Sequence, residues 1–237
     1  MSKFQKLKED VYLSNLELVK RKLVIYTFGN VSGIDRKNKV IAIKPSGVTY
    51  EKLTPNDIVI VDLNGKVVEG KYRPSSDTPT HIELYKHFSN IGGIVHTHST
   101  YATSWAQARK SIPILGTTHA DYLPNFVPCT KLMKKAYIDQ DYETNTGKEI
   151  INTVNNYLYK TINMVLVAGH GPFTWGKDSS EAVYNSAILE QLAKMAVFSI
   201  IINPKVSNLP RNLINKHYNR KHGKDSYYGQ KNYLLKK

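Results

Sequence analysis

The feature that most constrains this chain is the segment Gly92–Ser99, which reads Gly-Gly-Ile-Val-His-Thr-His-Ser. Its apolar start predicts a buried strand, and residues two apart on a strand face the same side of the sheet. The imidazoles of His96 and His98 are therefore placed to bind one metal ion. Because a metal site in a protein usually takes three or four ligands, the remaining ligands must come from other segments.

Two residues are the leading candidates for these ligands. His170 stands between two glycines at the end of an apolar segment, and Asp77 follows two serines in a polar loop. Three histidines and one carboxylate suit Zn²⁺, or Mn²⁺ or Co²⁺ in its place, acting as a Lewis acid. The alternative ligands are His81, His87 and His119. Of these, His81 is expected on the exposed side of a helix, and His119 lies close before an acidic residue.

Composition limits the class of protein. The chain has 237 residues with 41% hydrophobic content, which predicts one globular domain over 1–237. The net charge of +14 comes from scattered lysines and arginines without a nucleic-acid-binding motif, so we expect anionic small substrates rather than nucleic acid. The single cysteine, Cys129, allows no disulfide within the chain. A charged start at Met1–Asp10 and the lack of an 18-residue apolar run predict a cytoplasmic protein without a membrane span.

Hydrophobic periodicity predicts alternating helices and strands. Predicted helices cover 4–23, 81–88, 100–109, 148–160, 179–201 and 212–221, with Ser99 as a cap of the third and a serine or threonine as a cap of the second. Predicted strands cover 29–33, 40–43, 58–61, 67–69, 94–98, 164–167 and 173–176, and 112–117 is expected to be extended.

Short polar stretches are candidates for binding an anion. They are Gly29-Asn30, Ser46-Gly47 after Lys44, and Ser75-Ser76, where main-chain N–H groups, hydroxyls and a lysine suit a phosphate. No Walker or Rossmann glycine pattern accompanies them. Asp121 is a candidate base, and the phenol of Tyr228 is a candidate acid. Each stretch, taken alone, is also what an ordinary turn or surface tail looks like.

Together these segments resemble the L-ribulose-5-phosphate 4-epimerases, a branch of the class II aldolase/adducin superfamily. The resemblance covers nearly the whole chain in order and rests on Gly29-Asn30-Val31-Ser32, Lys44-Pro45-Ser46-Gly47, Pro74-Ser75-Ser76-Asp77-Thr78-Pro79-Thr80-His81, Gly92-Gly93-Ile94-Val95-His96-Thr97-His98-Ser99, Gly116-Thr117-Thr118-His119-Ala120-Asp121, His170-Gly171-Pro172-Phe173 and Tyr227-Tyr228-Gly229-Gln230.

The resemblance implies an α/β protein with three α/β/α layers around a central, mostly antiparallel sheet. It implies a homotetramer with active sites between subunits. By motif, the metal ligands are Asp77, His96, His98 and His170, usually on zinc. The substrate-binding positions are Gly29, Asn30, Ser46, Gly47, Ser75 and Ser76. Asp121 is one acid–base group, and Tyr228 is the other, supplied by the tail of a neighbouring subunit. Positions near the implied site are also held by Lys44, Thr117, Glu143, His217 and Arg220.

The implied reaction interconverts L-ribulose 5-phosphate and D-xylulose 5-phosphate, in L-arabinose or L-ascorbate catabolism. The C3–C4 bond breaks to an enediolate and glycolaldehyde phosphate, and re-addition to the other face of the aldehyde inverts C4. Two alternatives stay open. One is a class II aldolase of the L-fuculose-phosphate type, in which the family places a glutamate where this chain has Asp77. The other is an adducin-like interaction module without activity, which lacks the metal residues.

Overall fold

Seven strands form one sheet, and every ladder among them is antiparallel. The structure is a computed structural model, and it describes residues 2–155, 161–224 and 226–228. Along the chain the strands are β1 (Asn30–Asp35), β2 (Val40–Ile43), β3 (Val59–Asp62), β4 (Val67–Glu69), β5 (Gly93–His96), β6 (Met164–Leu166) and β7 (Pro172–Gly176). Their order across the sheet is β4-β3-β2-β1-β5-β7-β6.

Helices cover both faces of this sheet. They are α1 (Gln5–Lys20), α2 (Thr78–His87), α3 (Thr100–Gln107), α4 (Thr117–Ala120), α5 (Lys135–Ile138), α6 (Tyr142–Asn155), α7 (Ser179–Ile202) and α8 (Arg211–His222), and a 3₁₀ turn covers Pro55–Asp57. The three-layer α/β/α architecture with an antiparallel sheet is therefore confirmed.

Strand alternation decides which helices each side chain meets. Ile94 of β5 packs in the core beneath α2 and α6, and Val95 packs in a separate cluster with residues of α1 and α7. By this alternation His96 falls on the α2 side of the sheet. The helix layers on both faces of the sheet hold the histidine segment in position, because β5, which leads into it, is buried on both faces.

Several local expectations are wrong, each for a physical reason. Ile112 pairs with Val127, but the stretch predicted to be extended to residue 117 ends earlier, because α4 begins at Thr117 with Gly116 as its N-cap. Ser99 occupies the N-cap position of α3 without capping it, because the Glu190 carboxylate accepts from the N–H groups of Tyr101 and Ala102. Long-range caps of this kind leave no trace in the local sequence.

Two helix starts also differ from the expectation. Helix α6 begins at Tyr142, six residues before the predicted start, and residues 156–160 of the predicted helix lie outside the described residues. Helix α2 begins at Thr78, so its N-cap is Asp77 rather than a serine or threonine. The Asp77 side chain makes no capping bond, and its carboxylate is therefore available to the site described below.

Helix α7 is the single described helix that is long and apolar enough, by composition alone, to cross a membrane. In the folded chain it packs against β5 and β7, and it buries Leu189, Leu192 and Ala193. Packing on the sheet accounts for that part of its apolar surface.

Candidate metal centre

Three histidines meet at one edge of the sheet. Nitrogen atoms of His96, His98 and His170 all lie within 4.8 Å of one another, and the Nε2 atoms of His96 and His98 are 3.0 Å apart. His96 ends β5, His98 follows it by two residues, and His170 precedes β7, which pairs with β5. The predicted convergence of these three residues is thus present in the structure.

Neighbouring groups fix the rings in a ligand-like arrangement. His96 Nδ1 donates to the Pro172 carbonyl oxygen over 3.0 Å, which leaves its Nε2 lone pair free for a metal. The His96 ring also stacks on Phe173, with centroids 4.3 Å apart. Burial, with repulsion from His96 and His98, lowers the pKa of His170 to about 4, so this imidazole is neutral at physiological pH. Neutral, oriented imidazoles are the form that binds metal ions.

Gly171 allows the histidines to come together. A Cβ atom at this position would lie 2.8 Å from the Thr97 carbonyl oxygen and 3.4 Å from Cε1 of His96. The first contact is shorter than real Cβ atoms tolerate, so the turn carrying His170 approaches the end of β5 only because residue 171 has no side chain.

Asp77 lies in the same cleft but does not join the histidine cluster among the described residues. Its Oδ2 accepts a hydrogen bond of 2.7 Å from Asn30 Nδ2. Burial raises the pKa of the Asp77 carboxyl, but the imidazoles of His96 and His81 and the Asn30 bond outweigh burial and hold the pKa below its ordinary value. Asp77 is therefore an ionised carboxylate next to the histidines, available as a fourth ligand or as a base.

The predicted anion-binding stretches line this same cleft, which has a volume of about 420 Å³. Its polar lining includes Gly29, Asn30, Lys44, Ser46, Gly47, Ser75 and Ser76. Lys44 is 1% exposed, and its ammonium lies 3.4 and 3.5 Å from two main-chain carbonyl oxygens and 4.8 Å from the centre of the Tyr50 ring. Burial lowers the pKa of Lys44 to about 8. A buried cation with long, weak contacts beside serine hydroxyls suits an anionic ligand.

The alternative histidines occupy other places. His81, expected to be exposed, is wholly buried, because α2 turns that side toward the sheet. Its Nδ1 lies 2.7 Å from Ser32 Oγ. His119 is buried with its Nε2 3.1 Å from the Asn125 carbonyl oxygen, and His87 lies at the exposed end of α2. None of the three belongs to the histidine cluster found among the residues the structure covers.

The two predicted acid–base residues lie together, away from the histidines. Arg220 holds both carboxylate oxygens of Asp121, at 2.9 and 2.7 Å, and His217 Nδ1 lies 3.1 Å from Oδ1. The guanidinium of Arg220 is also 5.0 Å from the ring centre of Tyr228. Burial raises the pKa of the Asp121 carboxyl, but the Arg220 and His217 bonds outweigh burial and lower it. Neither Asp121 nor Tyr228 lines the histidine cleft.

Two residues near the cluster escaped the sequence argument. The Tyr142 hydroxyl lies 3.4 Å from His170 Nδ1 and is placed to orient that ring, although 28 residues separate the pair. Phe28, half exposed, lies with its ring centre 6.0 Å from that of His98 at the mouth of the cleft. No local signal singled out Tyr142, because the helix predicted from the sequence began six residues after it.

Known proteins share this fold and sequence pattern. Residues 9–197 match the profile of the class II aldolase and adducin N-terminal domain. A solved L-fuculose 1-phosphate aldolase is 26% identical over 93% of this chain and 97% of its own, with a TM-score of 0.77. YgbL from Escherichia coli, a putative aldolase/epimerase/decarboxylase, is 22% identical over 90% of this chain and 98% of its own, with a TM-score of 0.72.

A third solved structure, the L-fuculose-1-phosphate aldolase of Thermus thermophilus, is 22% identical over 84% of this chain and 97% of its own, with a TM-score of 0.65. The family match extends over most of the chain and includes the histidines of the cluster. On this match, the chain belongs to the class II aldolase/adducin family.

Proposed function

We propose that the chain is a metal-dependent epimerase that interconverts L-ribulose 5-phosphate and D-xylulose 5-phosphate in the cytoplasm. The observation that carries the proposal is that one cleft holds three clustered histidines, the ionised Asp77 and a polar lining with the buried Lys44. The histidines and Asp77 suit a divalent ion, usually zinc, and the polar lining with Lys44 suits a phosphate. A phosphorylated ketose with adjacent carbonyl and hydroxyl oxygens has groups for both.

The bound ion would supply Lewis-acid stabilisation of the negative charge that develops at the substrate oxygens when the C3–C4 bond breaks. His96, His98 and His170 would hold it, with Asp77 as the fourth ligand. The main chain at Gly29 and Gly47, the hydroxyls of Ser46, Ser75 and Ser76, the Asn30 amide and the Lys44 ammonium would hold the phosphorylated fragment. A fragment held at its phosphate recombines before it diffuses away, which is what epimerisation requires.

Inversion at C4 requires a proton acceptor and a proton donor on opposite faces of the aldehyde. We assign these roles to Asp121 and Tyr228. Tyr228 does not line the cleft of its own chain, which supports an arrangement in which the tail of a neighbouring subunit supplies it and so acts from the side opposite Asp121. A homotetramer with shared sites meets this requirement. In that complex, loss of the Arg220 bond to Asp121 would free the carboxylate to move a proton.

A second candidate function is an aldolase that releases its two fragments. The observation in its favour is the 26% identity to the L-fuculose 1-phosphate aldolase. The presence of Asp77 in place of the glutamate expected of such aldolases, together with the candidate acid–base pair, favours the epimerase. The presence of all three histidines of the cluster disfavours a non-enzymatic module.

A product analysis separates these functions. Zinc-loaded protein is incubated with L-ribulose 5-phosphate, and D-xylulose 5-phosphate and glycolaldehyde phosphate are both quantified. The epimerase predicts D-xylulose 5-phosphate as the main product. Net release of glycolaldehyde phosphate would favour the aldolase, and stoichiometric metal with no turnover would favour neither enzyme on this substrate.

A further inference from the structure

A row of buried polar side chains runs beneath the cleft, between the sheet and α2. Ser32 Oγ lies 2.7 Å from His81 Nδ1 and 2.9 Å from the Tyr85 hydroxyl. Ser32 and His81 have no exposed surface, and Tyr85 is 1% exposed. Three polar groups in an otherwise apolar layer are costly to bury, so their hydrogen bonds must be complete in the working protein.

Two buried atoms next to this row lack a hydrogen-bond partner. They are Nε2 of His81 and Oδ1 of Asn30. Asn30 and Ser32 are two apart on β1, so their side chains leave the same face of the sheet. Each unpaired atom would destabilise the fold by about 1–3 kcal/mol, which a water molecule hydrogen-bonded to both would remove.

The charge on Asp77 sets the direction of every bond in the row. A carboxylate can only accept, so the Asn30 side chain must turn Nδ2 toward Asp77, as it does at 2.7 Å. Its remaining atom, Oδ1, can only accept. If the neutral imidazole of His81 donates a hydrogen bond toward Asn30 Oδ1, its proton must be on Nε2. Its Nδ1 must then accept a hydrogen bond from the Ser32 hydroxyl.

We infer that His81 is a positioning residue whose Nε2–H is linked to Asn30 Oδ1 through one bridging water molecule. Tyr85 then donates to Ser32, Ser32 to His81, His81 through the water to Asn30, and Asn30 to Asp77. A chain in which all bonds point one way is cooperatively strengthened. It anchors the Asp77 carboxylate to the rigid core beneath α2 rather than to the cleft surface. The part that concerns turnover rests on the proposed function.

The position of the ring proton tests this inference without any activity assay. The zinc-loaded protein is labelled with ¹⁵N-histidine, and the His81 ring signals are assigned by their loss in His81→Gln. We expect the Nε2–H tautomer, with a ring signal that shifts in Asn30→Ala. The matched control, Ser75→Ala, removes the other partner of Asn30 Nδ2 and should leave the His81 signal in place. An Nδ1–H tautomer, or a signal unmoved in Asn30→Ala, overturns the inference.

A pair of variants tests the effect on turnover. The amide nitrogen of His81→Gln reaches near the former Nε2, and that of His81→Asn reaches near the former Nδ1. We expect His81→Asn to lower kcat about tenfold or more with KM nearly unchanged, and His81→Gln to retain more of kcat. His87→Asn, at the exposed end of the same helix, is the control. Equal losses in both His81 variants would reduce His81 to a packing role, and absence of activity in the wild type would count against the proposed function alone.

Discussion

Replacing Gly171 by alanine should separate the ligand histidines while leaving the sheet folded. The new Cβ would lie 2.8 Å from the Thr97 carbonyl oxygen, which belongs to the residue between His96 and His98. It would also lie 3.4 Å from His96 Cε1 and 3.6 Å from His98 Cδ2. The strain therefore falls on the main chain that carries two of the three ligands.

The structure sets the size of the effect. Relief of the contact with Thr97 needs a movement of about 0.5 Å, which uses up the whole tolerance within which a site keeps its geometry. We therefore expect zinc affinity to fall about 10- to 100-fold, or ~1.4–2.7 kcal/mol. The overpacked contact between residue 171 and Thr97 should reduce the free energy of unfolding of the apoprotein by about 1–3 kcal/mol.

Competition with a chromophoric chelator measures the zinc dissociation constant, and urea unfolding measures stability. Gly116→Ala is the matched control, because a Cβ at Gly116 meets no atom within 4 Å. It should bind zinc like the wild type. If Gly171→Ala also binds zinc with wild-type affinity, the three histidines do not form the metal site in the way argued above.

Three further predictions concern single side chains. Since burial lowers the pKa of Lys44 to about 8, the affinity for inorganic phosphate should fall as the pH rises through about 8, and Lys44→Met should bind weakly on both sides of that pH. Tyr142→Phe removes the hydroxyl 3.4 Å from His170 Nδ1, and zinc affinity by chelator competition should fall up to about tenfold; an unchanged value would exclude the contact from the metal site. Burial lowers the pKa of His119 from 6.5 to about 4, despite hydrogen bonds from its ring to main-chain oxygens. As the pH falls, His119 is therefore protonated in the unfolded chain before it is protonated in the folded chain. Stability should therefore be full above pH 6.5 and decline toward pH 4, and urea unfolding of His119→Gln should show a shallower decline.

The regular parts of the fold could be predicted because they rest on local patterns. Strands such as Val40–Ile43 and Val59–Asp62 are short apolar runs between turns, and the sequence places them within one residue. Helix α4 and the start of α6 could not be placed, because the residues around Gly116 and Tyr142 do not show the helical spacing of apolar side chains. The cap of α3 comes from Glu190, almost ninety residues away, and such a partner exists only after folding.

The site residues likewise divide into those that local sequence patterns predict and those whose placement depends on long-range contacts. His96 and His98 were paired by strand alternation, but the strand predicted over 94–98 ends at His96, and His98 reaches the cluster from the loop beyond it. His170 lies just before β7, which pairs with β5. The burial of His81 was missed, because helix periodicity does not say which way a polar residue faces when its partner, Ser32, lies on a strand. The ion pair of Asp121 with Arg220 spans 99 residues and lies beyond any local signal.

The most direct test of the account is the conversion of L-ribulose 5-phosphate by metal-depleted and zinc-reconstituted protein, with His98→Gln measured in parallel. We predict that D-xylulose 5-phosphate forms only with the metal, that glycolaldehyde phosphate does not accumulate, and that the variant loses both zinc and turnover. Full conversion by the metal-free protein, or by His98→Gln without bound metal, would contradict the assignment of the reaction to the histidine cleft.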